Sequence, residues 1–160
     1  MDGGIYGDEE RLRLLIVRVG DDGPAKVSAN INKLLTVIAT KEHTHKEIIT
    51  ELLVSSIASL PDKPPIYATF LSMLNMTTHA YVIEIFQDIV KKYYQYIEKS
   101  DFLEVKNILA FFIFSTKCNL LNIQTSAEII LYMLKAYKQC NAKYICLIPI
   151  VYLFPLIVRI

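Results

Sequence analysis

Tryptophan is absent from this chain, and cysteine, glycine and proline are scarce: three, five and six residues in 160. Each scarcity closes off a class of protein. The cysteines, Cys118, Cys140 and Cys146, are odd in number and carry no Cys-x-x-Cys spacing, so neither a disulfide framework nor a zinc site organises the fold. They read as reduced, buried small hydrophobes of an intracellular protein. The five glycines, at positions 3, 4, 7, 20 and 23, make no phosphate-binding loop. The Gly20 to Gly23 turn has no strand before it and no Gly-Lys-Ser/Thr ending. Net charge is also missing, at +1, whereas a domain that grips phosphates shows a basic excess. Direct nucleic-acid binding by this chain alone is therefore not favoured. Residues 144–158 are uncharged, yet they fall short of the roughly 20 apolar residues a membrane span needs. Pro149 and Pro155 interrupt them further. Residues 1–6 lack the basic-then-apolar order of a secretory signal.

What remains is a chain with 53% hydrophobic and 21% charged residues, long enough for one domain with a real core. Helical periodicity runs through it. Residues 8–19 place Leu12, Leu15, Ile16 and Val19 on one face, with Asp8, Glu9 and Glu10 in the first turn. The run from Gly20 to Pro24 then breaks the helix. Residues 27–40 carry Val27, Ile31, Leu34, Leu35 and Ile38 at helical spacing. A capping box, Thr44 with Glu47, predicts a fresh start before Ile48, Ile49, Leu52, Leu53, Ile57 and Leu60. The Pro61 to Pro65 run stops it.

A fourth helix over 65–75 carries Ile66, Tyr67, Phe70, Leu71 and Leu74. A long fifth over 78–99 buries Tyr81, Ile85, Ile89, Tyr93 and Tyr96, with Val82, Phe86 and Val90 beside them. Ser100 and Asp101 cap a sixth bearing Phe102, Leu103, Val105, Ile108, Leu109, Phe112 and Ile113. Thr125 and Glu128 form a capping box for a seventh ending near Gln139, and an eighth starts near Ala142. Eight helices on short connections predict an all-α fold, antiparallel helix pairs stacked as a HEAT-like helical-repeat superhelix. Residues 1–7 read as a flexible tail and 8–160 as a single domain.

Little in the chain suggests chemistry. His43 and His45, near Glu42 and Glu47, sit at i, i+2 and so do not share a helical face, and no His-Glu-x-x-His completes a site. His79 stands alone at a helix start. No catalytic, metal or cofactor residues are assigned. Lys91, Lys92 and Tyr94, in a tyrosine-rich stretch, are the candidates for nucleic-acid contact, because bases stack on rings flanked by cations. Tyr93 and Tyr96 point inward on this reading and Tyr94 outward.

Four stretches carry a family likeness. They are Ile16-Val17-Arg18-Val19-Gly20, then Val27-Ser28-Ala29-Asn30-Ile31-Asn32-Lys33-Leu34. Ser59 to Asn75 follows, with its Leu-Pro-x-Lys junction, its Ile-Tyr-x-Thr and its Leu-Asn ending, and last comes Phe102 to Asn122 with Asn119 near the turn. Their order resembles the N-terminal domain of the large subunits of nuclear cap-binding complexes, a HEAT-like domain in the family named for the middle domain of eukaryotic initiation factor 4G. The resemblance implies a non-enzymatic nuclear scaffold that shuttles to the cytoplasm. It also implies a small RNA-recognition-motif subunit held by regions beyond this chain, capped RNA bound indirectly, and recruitment of RNA-processing and export factors.

The chain departs from the family in two places. Residues 1–7 hold no Lys or Arg where a basic import segment is usual, and Phe154-Pro155-Leu156 stands in place of Leu-Pro-Trp. No cap-binding or subunit-binding residue carries over. The apolar run from Ile145 to Val158 predicts a further covering layer in a longer protein, or self-association. The rival readings are a related helical-repeat adaptor of translation initiation or RNA decay, a membrane-associated protein using the apolar C-terminus, and, last, an enzyme.

Overall fold

The computed structural model describes residues 3–21 and 23–139. Six α-helices fill them: α1 (Gly3–Val17), α2 (Pro24–Ser59), α3 (Pro64–Asn75), α4 (His79–Lys99), α5 (Phe102–Lys117) and α6 (Ile123–Gln139), with no strand among the described residues. Neighbours in sequence pack together, α1 on α2, α2 on α3 and α4 on α5. The α2–α3 pair then stacks on the α4–α5 pair, with α2 against α4 and α3 against α5. This is an all-α helical-repeat arrangement. Helix α5 lies at its centre, touching α2, α3, α4 and α6, which is why Val105, Ile108, Leu109, Phe111, Phe112 and Ile113 are all buried and the helix has no single apolar stripe. Helix α4 is the opposite, with Tyr81, Val82, Ile85, Ile89 and Tyr93 inward and a wet outer face.

The apolar faces read from the sequence form the core, whose largest sealed side chains include Tyr67, Tyr81, Phe70, Leu12, Ile16, Leu34, Ile49, Leu53 and Ile57. Leu103 is a correction: in the first turn of α5 it is 55% exposed. Helix boundaries differ more. The first helix starts at Gly3, inside the stretch read as a tail, although the glycines at 3, 4 and 7 weaken a helix. Asp8, Glu9 and Glu10 therefore lie beyond its first turn. The second and third helices follow one another without a loop as α2, two helical segments that meet at a kink where His45 leaves helical geometry (φ −132°, ψ 24°), one residue after Thr44, as the fresh start read from the sequence requires. The Thr44 hydroxyl meets His45 Nδ1 at 2.7 Å.

The last helix starts two residues before Thr125. Asn122 is its cap, taking the Thr125 N–H on Oδ1 at 2.7 Å, because asparagine caps at least as well as threonine. Ser100 closes α4 instead of opening α5. It is left-handed (φ 62°), and the Asp101 N–H reaches back to the Tyr96 carbonyl at 2.9 Å. Asn119 (φ 57°) repeats this device after α5, with the Leu120 N–H on the Ser115 carbonyl at 2.8 Å. Both bonds are the 6→1 closure of a Schellman motif. The eighth helix, the other two cysteines and the apolar C-terminal run lie outside the described residues.

Helix C-termini leave carbonyls without intrahelical donors, and here side chains from neighbouring helices supply them. Tyr67 of α3 donates to the Ile16 carbonyl at 2.9 Å, and Lys63 donates to the Val17 carbonyl and to Asp21. A cation at a helix C-terminus also suits the dipole. Gly20 (φ +92°) lets the chain leave α1 under Ile66, whose Cδ1 lies 2.3 Å from where a β-carbon would sit. Asn107 of α5 donates to the Ala58 carbonyl of α2 at 2.6 Å, and Ser72 of α3 donates to the Cys118 carbonyl at 3.1 Å. Thus the Val-Gly exit and the Pro61 to Tyr67 run, two of the stretches that carry the family likeness, meet in one latch.

Candidate interaction surface

Helix α4 borders two grooves. On the α2 side it offers Glu84, Asp88, Lys91, Lys92 and Gln95 against Lys46, Glu47, Thr50 and Glu51, around a volume of about 550 Å³. Three lysines there face four carboxylates. Lys46 pairs with Glu84 at 2.6 Å and lies over the Tyr81 ring at 5.5 Å. Tyr81 itself meets the Thr50 hydroxyl at 3.1 Å, so this groove begins at the α2 kink and is stitched across its polar floor.

The second groove, about 540 Å³, opens on the α6 side. Val82, Phe86 and Val90 of α4, Phe112 of α5, Leu120, Leu121 and Ile129 make it apolar, and Asn75, His79, Gln87, Lys91 and Thr125 supply the polar lining. His79 Nδ1 lies 2.7 Å from Asn75 Oδ1, so that nitrogen carries the proton and the ring is oriented. Ile83, 44% exposed, forms part of the lining. Helix α6 is held beside the groove by a Thr116–Ser126 hydroxyl contact and by an edge-on pair of rings, Tyr94 and Tyr132, 5.2 Å apart.

The candidates for nucleic-acid contact fall in three different settings. Lys91 is exposed and bonds Asp88 at 2.7 Å. Lys92 sits 6.0 Å from the Tyr96 ring centre. Tyr94 is 41% exposed and leans on Tyr132. Tyr93 is buried and Tyr96 half-buried, as the spacing predicts. Burial pushes the Tyr93 phenol well above its ordinary range, with Tyr94 and Tyr132 adding to the effect. Tyr96 is raised too, by burial and then by Glu104 and Asp101. His45 sits at the α2 kink, while the side chains of Glu42 and His43 lie outside the described residues. No group of three or more metal-ligating side chains occurs among the described residues, and none of their helices is long and apolar enough to cross a membrane. Cys118 is free and half-buried at the end of α5.

With latch and grooves in view, the likeness to known proteins has a physical frame. This chain is 21% identical over 154 residues to nuclear cap-binding protein subunit 1 of Anopheles gambiae, covering 88% of this chain and 19% of that protein. The same protein of Aedes aegypti is 22% identical over 152 residues, with coverages of 86% and 19%. That of Xenopus tropicalis is 25% identical over 119 residues, with coverages of 74% and 14%. The relationship is a distant one. No protein-family model matches the chain. The chain spans less than a fifth of the length of these relatives.

The apolar groove is the feature that sequence reasoning missed. Its signal was present: Ile83, Gln87, Val90 and Tyr94 recur at i, i+4, i+7 and i+11, a second stripe beside the buried one. The apolar members Leu120 and Leu121 sit in a turn, where periodicity says nothing.

Proposed function

We propose that this chain is a non-enzymatic scaffold domain of a nuclear cap-binding complex large subunit. In this reading it supports the binding of capped RNA by a small RNA-recognition-motif subunit and recruits RNA-processing and export factors through its helical faces. The observation that carries it is the likeness along most of the chain to proteins named nuclear cap-binding protein subunit 1. The structure supports a scaffold physically: stacked helix pairs give a rigid frame, and α4 offers two open grooves. A nuclear location, with shuttling, follows from the same reading.

Affinity purification of the tagged native gene product, with retention on methylated-cap resin scored, tests it. The expected result is co-purification of an RNA-recognition-motif subunit together with cap retention. A helicase without cap retention would move the chain to a translation or decay adaptor, and recovery with membranes would move it to the apolar C-terminus as an anchor. Either result overturns the proposal.

A further inference from the structure

The geometry points to a specific class of partner for the α4–α6 groove: we propose that it receives a short, acidic, amphipathic helix of another protein. This deepens the scaffold reading and rests on it.

The groove's dimensions suit a helix. Its α4 lining runs from His79 to Lys91, about 18 Å at 1.5 Å per residue, or three helical turns. A guest of that length presents apolar side chains at i, i+4 and i+7, the anchor pattern of a helix laid in a groove. The floor answers with Phe86, Val90, Phe112, Leu121 and Ile129. Ile83 leaves 44% of its surface in water beside this apolar floor, so a guest helix can cover both together.

Charge selects the guest. Among the described residues the lining holds the cation Lys91 but no carboxylate. The groove on the other side of α4 holds Glu47, Glu51, Glu84 and Asp88. Lys91 bonds Asp88 of its own helix at 2.7 Å with 71% of its side chain exposed. Such a surface pair is weak enough for an incoming carboxylate to share the ammonium. An acidic flank on the guest meets the Lys91 ammonium, while a basic flank meets its repulsion. Complementary charge of this kind sets partner choice more than raw affinity.

The test is a displayed library of random 16-residue peptides, selected on the full chain and counter-selected on Ile83→Asp. Expected is a pool with apolar residues at three- and four-residue spacing and Asp or Glu on the flanks. Its members should bind at least ten-fold more weakly to Ile83→Asp. They should bind at least three-fold more weakly to Lys91→Glu and to Gln87→Glu, two exposed changes that leave folding alone. A pool indifferent to these variants, or one rich in Lys and Arg, overturns the proposal. So does an empty selection. In that case sedimentation of the wild type against Ile83→Asp identifies the occupant: a halved mass assigns a second copy, and an unchanged mass leaves the chain's own residues 140–160. Cap retention of the native product is scored separately, so the groove can fail while the scaffold reading stands.

Discussion

The two ends of this helical stack are held by different means. At the α1–α3 end, position-specific contacts close the structure: Tyr67 and Lys63 cap the last carbonyls of α1, and Gly20 makes room for Ile66. At the α4–α6 end the contacts are generic. Aromatic rings lean together, one pair of hydroxyls meets, and Ile123, Leu131 and Tyr132 remain exposed. Tyr93, buried there, has a hydroxyl with no hydrogen-bond partner among the described residues. The difference separates specification from adhesion. The latch tolerates few residue types at its key positions, and two of the stretches that carry the family likeness lie there. The groove end accepts many apolar residues and leaves surface for a partner.

The largest way to break the comparison is Gly20→Ala. The added β-carbon imposes left-handed strain of about 1–2 kcal/mol and collides with Ile66 Cδ1. That methyl ends its side chain and can swing aside, so relieving the clash costs about 1 kcal/mol more. Thermal or urea unfolding should show a loss of roughly 2–3 kcal/mol. Less than about 1 kcal/mol would mean that the turn relaxes and the latch is not specific.

The same substitution at the two ends should then give opposite signs. Tyr67→Phe removes the donor to the Ile16 carbonyl in a sealed site and leaves that acceptor buried, at a cost of about 1–2 kcal/mol. Tyr93→Phe removes a buried hydroxyl that is already unpartnered. Unfolding of that variant should be unchanged or up to about 1 kcal/mol harder. Equal losses at both positions would erase the distinction between the ends.

Alkali probes both tyrosines together. Burial raises the folded-state pKa of each above the ordinary value of about 10. The unfolded chain gives up those phenolic protons near pH 10 while the folded chain keeps them, so unfolding releases protons there and higher pH favours it. Stability is therefore fully present below about pH 10 and falls above it. Combining Tyr67→Phe with Tyr93→Phe should flatten that fall relative to wild type. An equally steep alkaline limb in the double variant would assign it to other groups.

The sequence made the core faces legible because helical periodicity reports burial directly, and Tyr93 inward with Tyr94 outward followed from it. Boundaries were less legible, for a local reason. Thr125 with Glu128 matched a capping pattern, but Asn122 offered an equivalent oxygen three residues earlier and the helix used it. The Thr44 and Glu47 pattern marked the kink at His45, where one helical segment gives way to the next. The roles of Lys63 and Tyr67 were invisible, since both act on carbonyls more than forty positions earlier in the chain. The groove was half legible: its α4 stripe is periodic, and its α6 wall depends on tertiary placement.

The smallest expected effect concerns Lys91 and Lys92. Lys91 makes an exposed i, i+3 pair with Asp88, and contacts of that kind contribute about 0.2–1 kcal/mol. Lys92 lies 6.0 Å from the Tyr96 ring centre, the outer limit of a useful cation–π contact. Replacing both by Ala should shift unfolding by no more than about 1 kcal/mol. The same double variant decides whether this face touches RNA. Three lysines against four carboxylates make no basic patch on the α2 side of α4, so RNA affinity of the chain near physiological salt should be unchanged. A ten-fold loss, with a salt slope reduced by about two, would place phosphates against these lysines and make Tyr94 the first ring to test for stacking.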